Sequence, residues 1–165
     1  VSEFVVRPVR PEELAVVGAL TVAAYREDGL LVADPDYVHE LSDAAGRVAH
    51  SELLVAVDGG GQVLGSVTLT PPGSPMAEIS RPGELEFRML ATAPAARSRG
   101  VGEALTRAVV DRARELGAEC VVMSSLEAMT AAHRLYTRLG FTRLPERDWE
   151  PVPGFWLRAF ALPLT

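Results

Sequence analysis

At 165 residues, with 48% apolar residues and a single cysteine, the chain is long enough for one domain with a proper core and cannot hold an internal disulfide. A net charge of −6 argues against a general nucleic-acid binder, which needs a basic face, and a mean hydropathy of +0.14 argues against disorder. No apolar run approaches a membrane span and no signal peptide is visible, so a cytoplasmic protein without membrane or nucleic-acid partners is expected.

Phe4 to Arg10 reads as a first strand, and Pro8, which has no N–H for a ladder, puts it near a sheet edge. Pro11-Glu12-Glu13 opens a helix that continues through Leu14, Val17, Leu20 and Ala24 at helical spacing and ends before Gly29. Asp34-Pro35 predicts the cap of a second helix from Asp36 to about Ala49, with Tyr37, Val38, Leu41 and Ala45 as its apolar side. Glu52 to Val57 and Val63 to Thr70 read as a hairpin around Asp58-Gly59-Gly60-Gly61. From Pro71 to Gly83 the chain is too rich in proline for regular structure.

The stretch from Glu84 to Leu116 reads as a strand, a tight polar turn and a long helix. Pro94 ends the strand. The helix starts near Val101 or Gly102, and Val101, Leu105, Ala108, Val109, Ala113 and Leu116 fall on one face. The turn Arg97-Ser98-Arg99-Gly100-Val101-Gly102 has the physics of an anion site. The first N–H groups of a helix lack partners inside it, and the macrodipole adds partial positive charge. Two glycines let a phosphate approach the backbone, and Arg97 and Arg99 can add charge-assisted bonds. A glycine that merely turns the chain is the plain alternative. Gly102 is followed by Glu103 rather than Lys-Ser or Lys-Thr, which excludes a P-loop, and Leu105 stands where a dinucleotide loop needs Gly or Ala.

Beyond the helix, Glu119 to Ser124 is apolar without alternation and reads as a central strand, with Cys120 as an inert core thiol. Thr130 to Leu139 is a helix that Gly140 terminates, and Phe141 to Leu144 and Phe155 to Leu162 are closing strands separated by a loop. The element order β-α-α-β-β-β-α-β-α-β-β predicts an α/β fold: one domain over residues 1–165, with a mixed sheet of six to seven strands and helices on both faces. His39, His50 and His133 have no metal-ligand spacing with one another or with Cys120, and no metal is expected.

Two blocks carry a resemblance. Arg97-Ser98-Arg99-Gly100-Val101-Gly102 resembles the acyl-CoA-binding motif Gln/Arg-x-x-Gly-x-Gly/Ala of the GNAT superfamily of N-acyltransferases, preceded by a similar strand end, Leu90-Ala91-Thr92-Ala93-Pro94. Downstream, Leu135-Tyr136-Thr137-Arg138-Leu139-Gly140-Phe141 resembles that family's Leu-Tyr-x-x-x-Gly-Phe helix end at the usual separation. The likeness covers at least Glu84 to Leu144. It implies acetyl-CoA as co-substrate, held by Leu90, Ala91, Thr92, Arg97, Ser98, Arg99, Gly100, Val101, Gly102 and Glu103.

Acetylation of an amine needs a deprotonated amine, a polarised thioester carbonyl and a stabilised leaving thiolate. By the resemblance, Tyr136 is the general acid near the sulfur, and Glu86 on the incoming strand is the base. Glu84 is its rival on the same strand face, and Arg88 shares that face, so a solvated, ion-paired row is the competing reading. The family's strand splays near Leu90 and Ala91, where a backbone N–H polarises the carbonyl. The family often has Asn seven residues before the tyrosine; here Met129 stands there, with Ser124, Ser125 and Thr130 as substitutes. The acceptor side in the family is bounded by the two N-terminal helices, with Tyr25, Arg26, Glu27, Tyr37 and His39, and by the C-terminal part, with Trp149, Phe155 and Trp156. The expected activity is acetyl transfer to a primary amine of a small molecule or peptide, with a homodimer admitted. The rival from another class is a non-catalytic acyl-CoA-binding sensor or regulatory module, and a more distant one a phosphate- or nucleotide-binding domain unrelated to CoA.

Overall fold

A computed structural model describes residues 3–31 and 34–164. Strand β1 (Phe4–Pro8) leads through a single turn of 3-10 helix into α1 (Leu14–Glu27). Two short helices follow, α2 (Val38–Ser42) and α3 (Ala44–Val48). Strands β2 (Glu52–Asp58) and β3 (Val63–Thr70) form the hairpin, and a long loop leads to β4 (Glu84–Thr92). Next come α4 (Val101–Glu115), β5 (Cys120–Leu126) and α5 (Thr130–Arg138). The chain closes with β6 (Thr142–Arg143), β7 (Trp149–Val152) and β8 (Phe155–Pro163).

The strands form one sheet in the order β1-β2-β3-β4-β5-β8-β6, with β7 on the side of β8. Every neighbouring pair is antiparallel except β4 with β5. Helices cover both faces, because β2 and β3 are buried on both sides. On one face α4 sets Val101, Leu105, Val109 and Ala113 against Leu54, Leu64, Leu85 and Val121. On the other, α1 sets Val17, Leu20 and Ala24, with Ala44 of α3, against Leu53, Val55 and Val57. Gly65 of β3 makes the close approach of α4 possible: a Cβ there would stand 2.7 Å from the Ala91 carbonyl oxygen and 2.8 Å from Val101 Cγ1. This contact sets how near the start of α4 comes to the end of β4.

Five sequence expectations change. The sheet has eight strands rather than six or seven, because Trp149–Val152 pairs with β8 despite Pro151. That strand is joined to β8 on one side only, so a residue without an N–H is tolerated. The second helix is broken at Asp43, whose side chain accepts the Gly46 N–H at 2.9 Å and so starts a new helix. Asp34 makes no such cap bond. Phe141 to Leu144 yields only the two-residue β6, and Leu116, at the end of α4, is exposed. Among the described residues no helix is long and apolar enough to cross a membrane, and no group of three or more side chains could hold a metal.

Candidate functional site

Strands β4 and β5 pair only from Glu84–Cys120 to Glu86–Val122, although both run on. Past Glu86 they diverge. Opposite this gap β4 carries an extra residue against β3: Ser66 faces Ala91 and Thr68 faces Arg88, so three steps oppose two. Met89 sits in the bulge at φ +54°, a left-handed conformation costly for a side chain with a Cβ. The strand therefore turns away from β5 at a fixed place. A cavity of about 160 Å³ occupies the opening. Phe87 to Leu90 form one wall and Met123 to Leu126 the other. Tyr25, Tyr37 and Glu78 close one end, and Tyr136, Met129 and Phe155 also line it.

At the end of β4 the chain enters the Arg97–Gly102 turn. Ser98 and Gly100 both have positive φ, +66° and +81°, which bends the backbone into a concave run before α4. The first amide after Ala96 to find a backbone partner is that of Ala104, bonded to the Gly100 carbonyl. Among the described residues, the N–H groups from Arg97 to Glu103 find no acceptor and are left for another one. Gly102 faces Leu135 and Thr92; a Cβ there would lie 3.5 Å and 3.9 Å from them. These features fit a pyrophosphate. The arginines of the turn point elsewhere. Arg97 makes a bidentate pair with Asp28 at 2.6 and 3.0 Å, tying the turn to the end of α1. Arg99 reaches Glu3 at 3.1 Å, and Glu103 is held by Arg138 at 3.0 Å. The charge nearest the anion site is therefore already paired, and the backbone supplies the free donors.

Tyr136 is 3% exposed, with its ring edge-on to Phe87 and tilted against Phe141 and Phe160, at centroid distances of 5.9, 5.8 and 6.0 Å. It also lines the cavity. Burial alone raises its pKa, with no hydrogen-bond partner contributing, so the hydroxyl holds its proton at neutral pH. Nearby, Ser125 Oγ lies 3.4 Å from Met129 Sδ and 3.1 Å from His133 Nε2. Met129, which stands where the resemblance leads one to expect Asn, thus receives a hydroxyl rather than offering an amide. Of the three substitutes, Ser124 and Ser125 line the cavity and Thr130 does not.

The acids on β4 do not sit where the sequence led one to expect a base. Glu86 is fully buried and does not line the cavity. Its Oε1 accepts three successive backbone N–H bonds, from Glu78, Ile79 and Ser80, at 2.9, 3.0 and 3.0 Å. The carboxylate is a pin for the proline-rich loop, because three convergent amides offset the cost of burying the charge. Glu84 pairs with Arg147 at 2.6 and 3.0 Å, and Arg147 also donates to the Ile79 carbonyl, so it secures the same loop from the other side. Arg88 turns into the cavity. It donates to the Tyr37 hydroxyl at 2.9 Å and the Met76 carbonyl at 3.0 Å, and pairs with Glu78 at 3.0 Å and Glu40 at 3.9 Å.

Glu78 is the residue that the sequence reading passed over. Its side chain is 23% exposed and lines the cavity. Burial pushes its carboxyl up to about 7, against the pull of Arg88 and with help from the negative charges of Glu86 and Glu40. The signal in the sequence was faint: Glu78 is the only acid between Asp58 and Glu84, in a loop without periodicity. Of the residues expected on the acceptor side, Tyr25, Tyr37 and Phe155 line the cavity. Trp156 lines a neighbouring hollow with Gly29, Leu30 and Phe155, while Arg26, Glu27, His39 and Trp149 line neither. Cys120 is half-buried and its thiol is pushed up by burial, away from reactivity.

The profile of the acetyltransferase (GNAT) family matches residues 19–141. The chain is 30% identical over 105 residues to an uncharacterised N-acetyltransferase of Schizosaccharomyces pombe, covering 64% of this chain and 60% of that one. It is 40% identical over 91 residues to a mycothiol acetyltransferase of Pseudarthrobacter chlorophenolicus, covering 54% of this chain but only 27% of the relative. The match therefore spans less than two thirds of either relative's length. Among solved structures, a Salmonella typhimurium protein determined with its cofactor acetyl-CoA superposes with a TM-score of 0.68 at 20% identity, covering 99% of this chain and 95% of that one.

Proposed function

The chain belongs to the acetyltransferase (GNAT) family, and from that premise we propose that it moves an acetyl group from acetyl-CoA to a primary amine of a small molecule or peptide by direct attack in a ternary complex. The observation that carries this reading is the divergence of β4 from β5 between an amide-lined turn and a buried tyrosine. The free N–H groups of residues 97–103 hold the pyrophosphate, with Gly102 leaving room beside Thr92 and Leu135. The edge of β4 at Leu90 to Thr92, unpaired with β5, lies along the way from that turn to the cavity and offers backbone groups to the pantetheine arm. Acetyl-CoA supplies an activated acyl group as a thioester. Tyr136 keeps its proton at neutral pH and gives it to the sulfur as the thiolate leaves.

The acceptor enters at the other end, past Tyr25, Tyr37 and Phe155. Glu78 and Asp34 line that end and Glu40 lies beyond Arg88, so three carboxylates stand against two cations, Arg88 and the buried Arg47 behind the two tyrosines. Such surroundings favour a positively charged amine over an acidic acceptor. The aromatic and methionine walls suit one that carries an apolar group next to the amine.

A second reading, a non-catalytic acyl-CoA-binding module, gains support from one observation: Glu86, the base candidate on β4, is closed off in the loop. Thiol release from acetyl-CoA, measured with a panel of alkylamines, arylalkylamines, amino-acid amides and peptide N-termini, separates the two. Amine-dependent release at a rate well above hydrolysis is expected. Tight acetyl-CoA binding with no amine-dependent release would favour the module.

A further inference from the structure

We propose that Glu78 accepts the proton of the attacking amine, and that Glu86 is a positioning residue which holds Glu78 in the cavity. This inference rests on the acetyl-transfer reading above. The geometry is a two-part device. Three consecutive amides, those of Glu78, Ile79 and Ser80, converge on Glu86 Oε1 at 2.9–3.0 Å. Convergence of that kind requires a tight concave backbone, so the loop cannot slide along the strand without leaving the carboxylate unpaired. Arg147 fixes the far side of the same loop through the Ile79 carbonyl and its pair with Glu84. Held by these anchors, the Glu78 side chain lines the cavity and pairs with Arg88 there at 3.0 Å.

The chemistry fits that position. A lysine-type amine has a pKa of about 10.4 and must lose a proton before it attacks. Asp34 and Glu78 are the carboxylates lining the cavity, and Asp34 sits on an exposed turn. Glu78 is flanked by Arg88 and Glu86 from β4, Glu40 from α2, Tyr37 from the turn before α2, Tyr25 from α1, and the loop-binding Arg147. Burial and the two neighbouring carboxylates raise its pKa to about 7, close to the working pH that suits a general base. Arg88 keeps the carboxylate oriented and, with four partners, is itself immobile.

The proton count closes. The acceptor nitrogen enters as an ammonium with three protons and leaves as an amide with one. The first departing proton goes to the Glu78 carboxylate and on to solvent. The nitrogen lone pair then forms the N–C bond while the C–S bond breaks. The second proton balances the one that the Tyr136 hydroxyl gives to the sulfur. The products are the amide, the thiol and one released proton.

The test combines turnover with a direct titration. In the wild-type protein, carboxyl NMR should show one glutamate titrating near pH 7, and Glu78→Gln should remove that signal. Turnover on the best amine of the panel should rise with pH through the same value. Glu78→Gln should lower kcat/KM at least 100-fold at pH 7.5 and abolish that limb, with the Kd for acetyl-CoA unchanged. Glu86→Gln keeps an oxygen to accept the loop amides but removes a charge that raises Glu78. Both the NMR titration and the kinetic limb should therefore move to lower pH, a shift that a merely structural role would not produce. Glu86→Ala, which loses the pin, should lose kcat as Glu78→Gln does. Glu78 titrating in the ordinary carboxylate range, a Glu78→Gln variant with wild-type kcat/KM and pH limb, or a Glu86→Gln variant with an unmoved titration would each overturn the proposal. A wild-type protein that acetylates no amine, yet shows the raised titration, would instead remove the acetyl-transfer reading.

Discussion

Tyr136→Phe removes one oxygen and tests the leaving-group end of the site. The ring of Tyr136 touches Phe87, Phe141 and Phe160 at centroid distances near 6 Å, and phenylalanine keeps all three contacts. The hydroxyl has no hydrogen-bond partner that shifts its pKa, so its loss leaves no protein group unsatisfied. The stability change should stay within about 0.5 kcal/mol, whereas truncation to alanine would cost roughly 3–5 kcal/mol. Catalysis should respond quite differently. If the hydroxyl protonates the thiolate, kcat falls by about 10², which is about 2.7 kcal/mol in the barrier. The interaction grows as charge develops on sulfur, so the KM for acetyl-CoA should change far less. Because burial raises the tyrosine pKa, the wild-type profile should show no loss of activity from tyrosine ionisation up to about pH 10, its ordinary value. The assay is thiol release at saturating amine and acetyl-CoA, with thermal unfolding and calorimetric acetyl-CoA binding on the same preparations. Wild-type kcat in the phenylalanine variant would return Tyr136 to a purely packing role.

Three further outcomes follow from other parts of the molecule. Gly102→Val puts a branched side chain toward Thr92 and Leu135, and acetyl-CoA affinity should drop at least tenfold, about 1.4 kcal/mol, by calorimetry. Gly65→Ala forces a Cβ against the Ala91 carbonyl and Val101; we expect a loss of about 1–3 kcal/mol in denaturant unfolding, with weaker acetyl-CoA binding because α4 is pushed off β3. Asp148 is held by Arg143 at 2.6 Å, the Ala159 N–H and Arg158, which bring its carboxyl down from 3.8 to about 2. Since the folded pKa lies below the unfolded one, this stabilisation is present above about pH 4 and lost as pH falls through about 2. At about 1.4 kcal/mol per unit, Asp148→Asn should cost about 2 kcal/mol at pH 7, and the difference from wild type should vanish near pH 2; a gap that persists there would contradict the linkage.

Much of this site could be read locally. The strand, turn and helix from Glu84 to Glu115 follow from a proline stop, two glycines and a helical stripe. The expected buried face of α4 holds for Val101, Leu105, Val109 and Ala113. Tyr136 could be singled out because it neighbours Leu135 and Gly140 in a recognisable helix end, and in the fold it lines the cavity. These are signals of period and of short-range chemistry, and they survive folding because they fix each element's type and apolar face whatever distant residues that face later packs against.

What could not be read was decided by competition between groups far apart in the chain. The strand Trp149–Val152 forms because β8 offers it an edge, which overrides Pro151. Arg97 and Arg99 look like phosphate ligands until Asp28 and Glu3 claim them. Period-two alternation set Glu84, Glu86 and Arg88 on one face, yet each found a different partner: Arg147, the 78–80 amides, and Glu78 with Tyr37. The sequence by itself determined that β4 carries Glu84, Glu86 and Arg88 at alternate positions on one face. Which carboxylate lines the cavity was decided only by tertiary structure, because a buried charge goes where the most donors converge, and the amides of the 78–80 loop hold Glu86 while the Glu78 side chain lines the cavity.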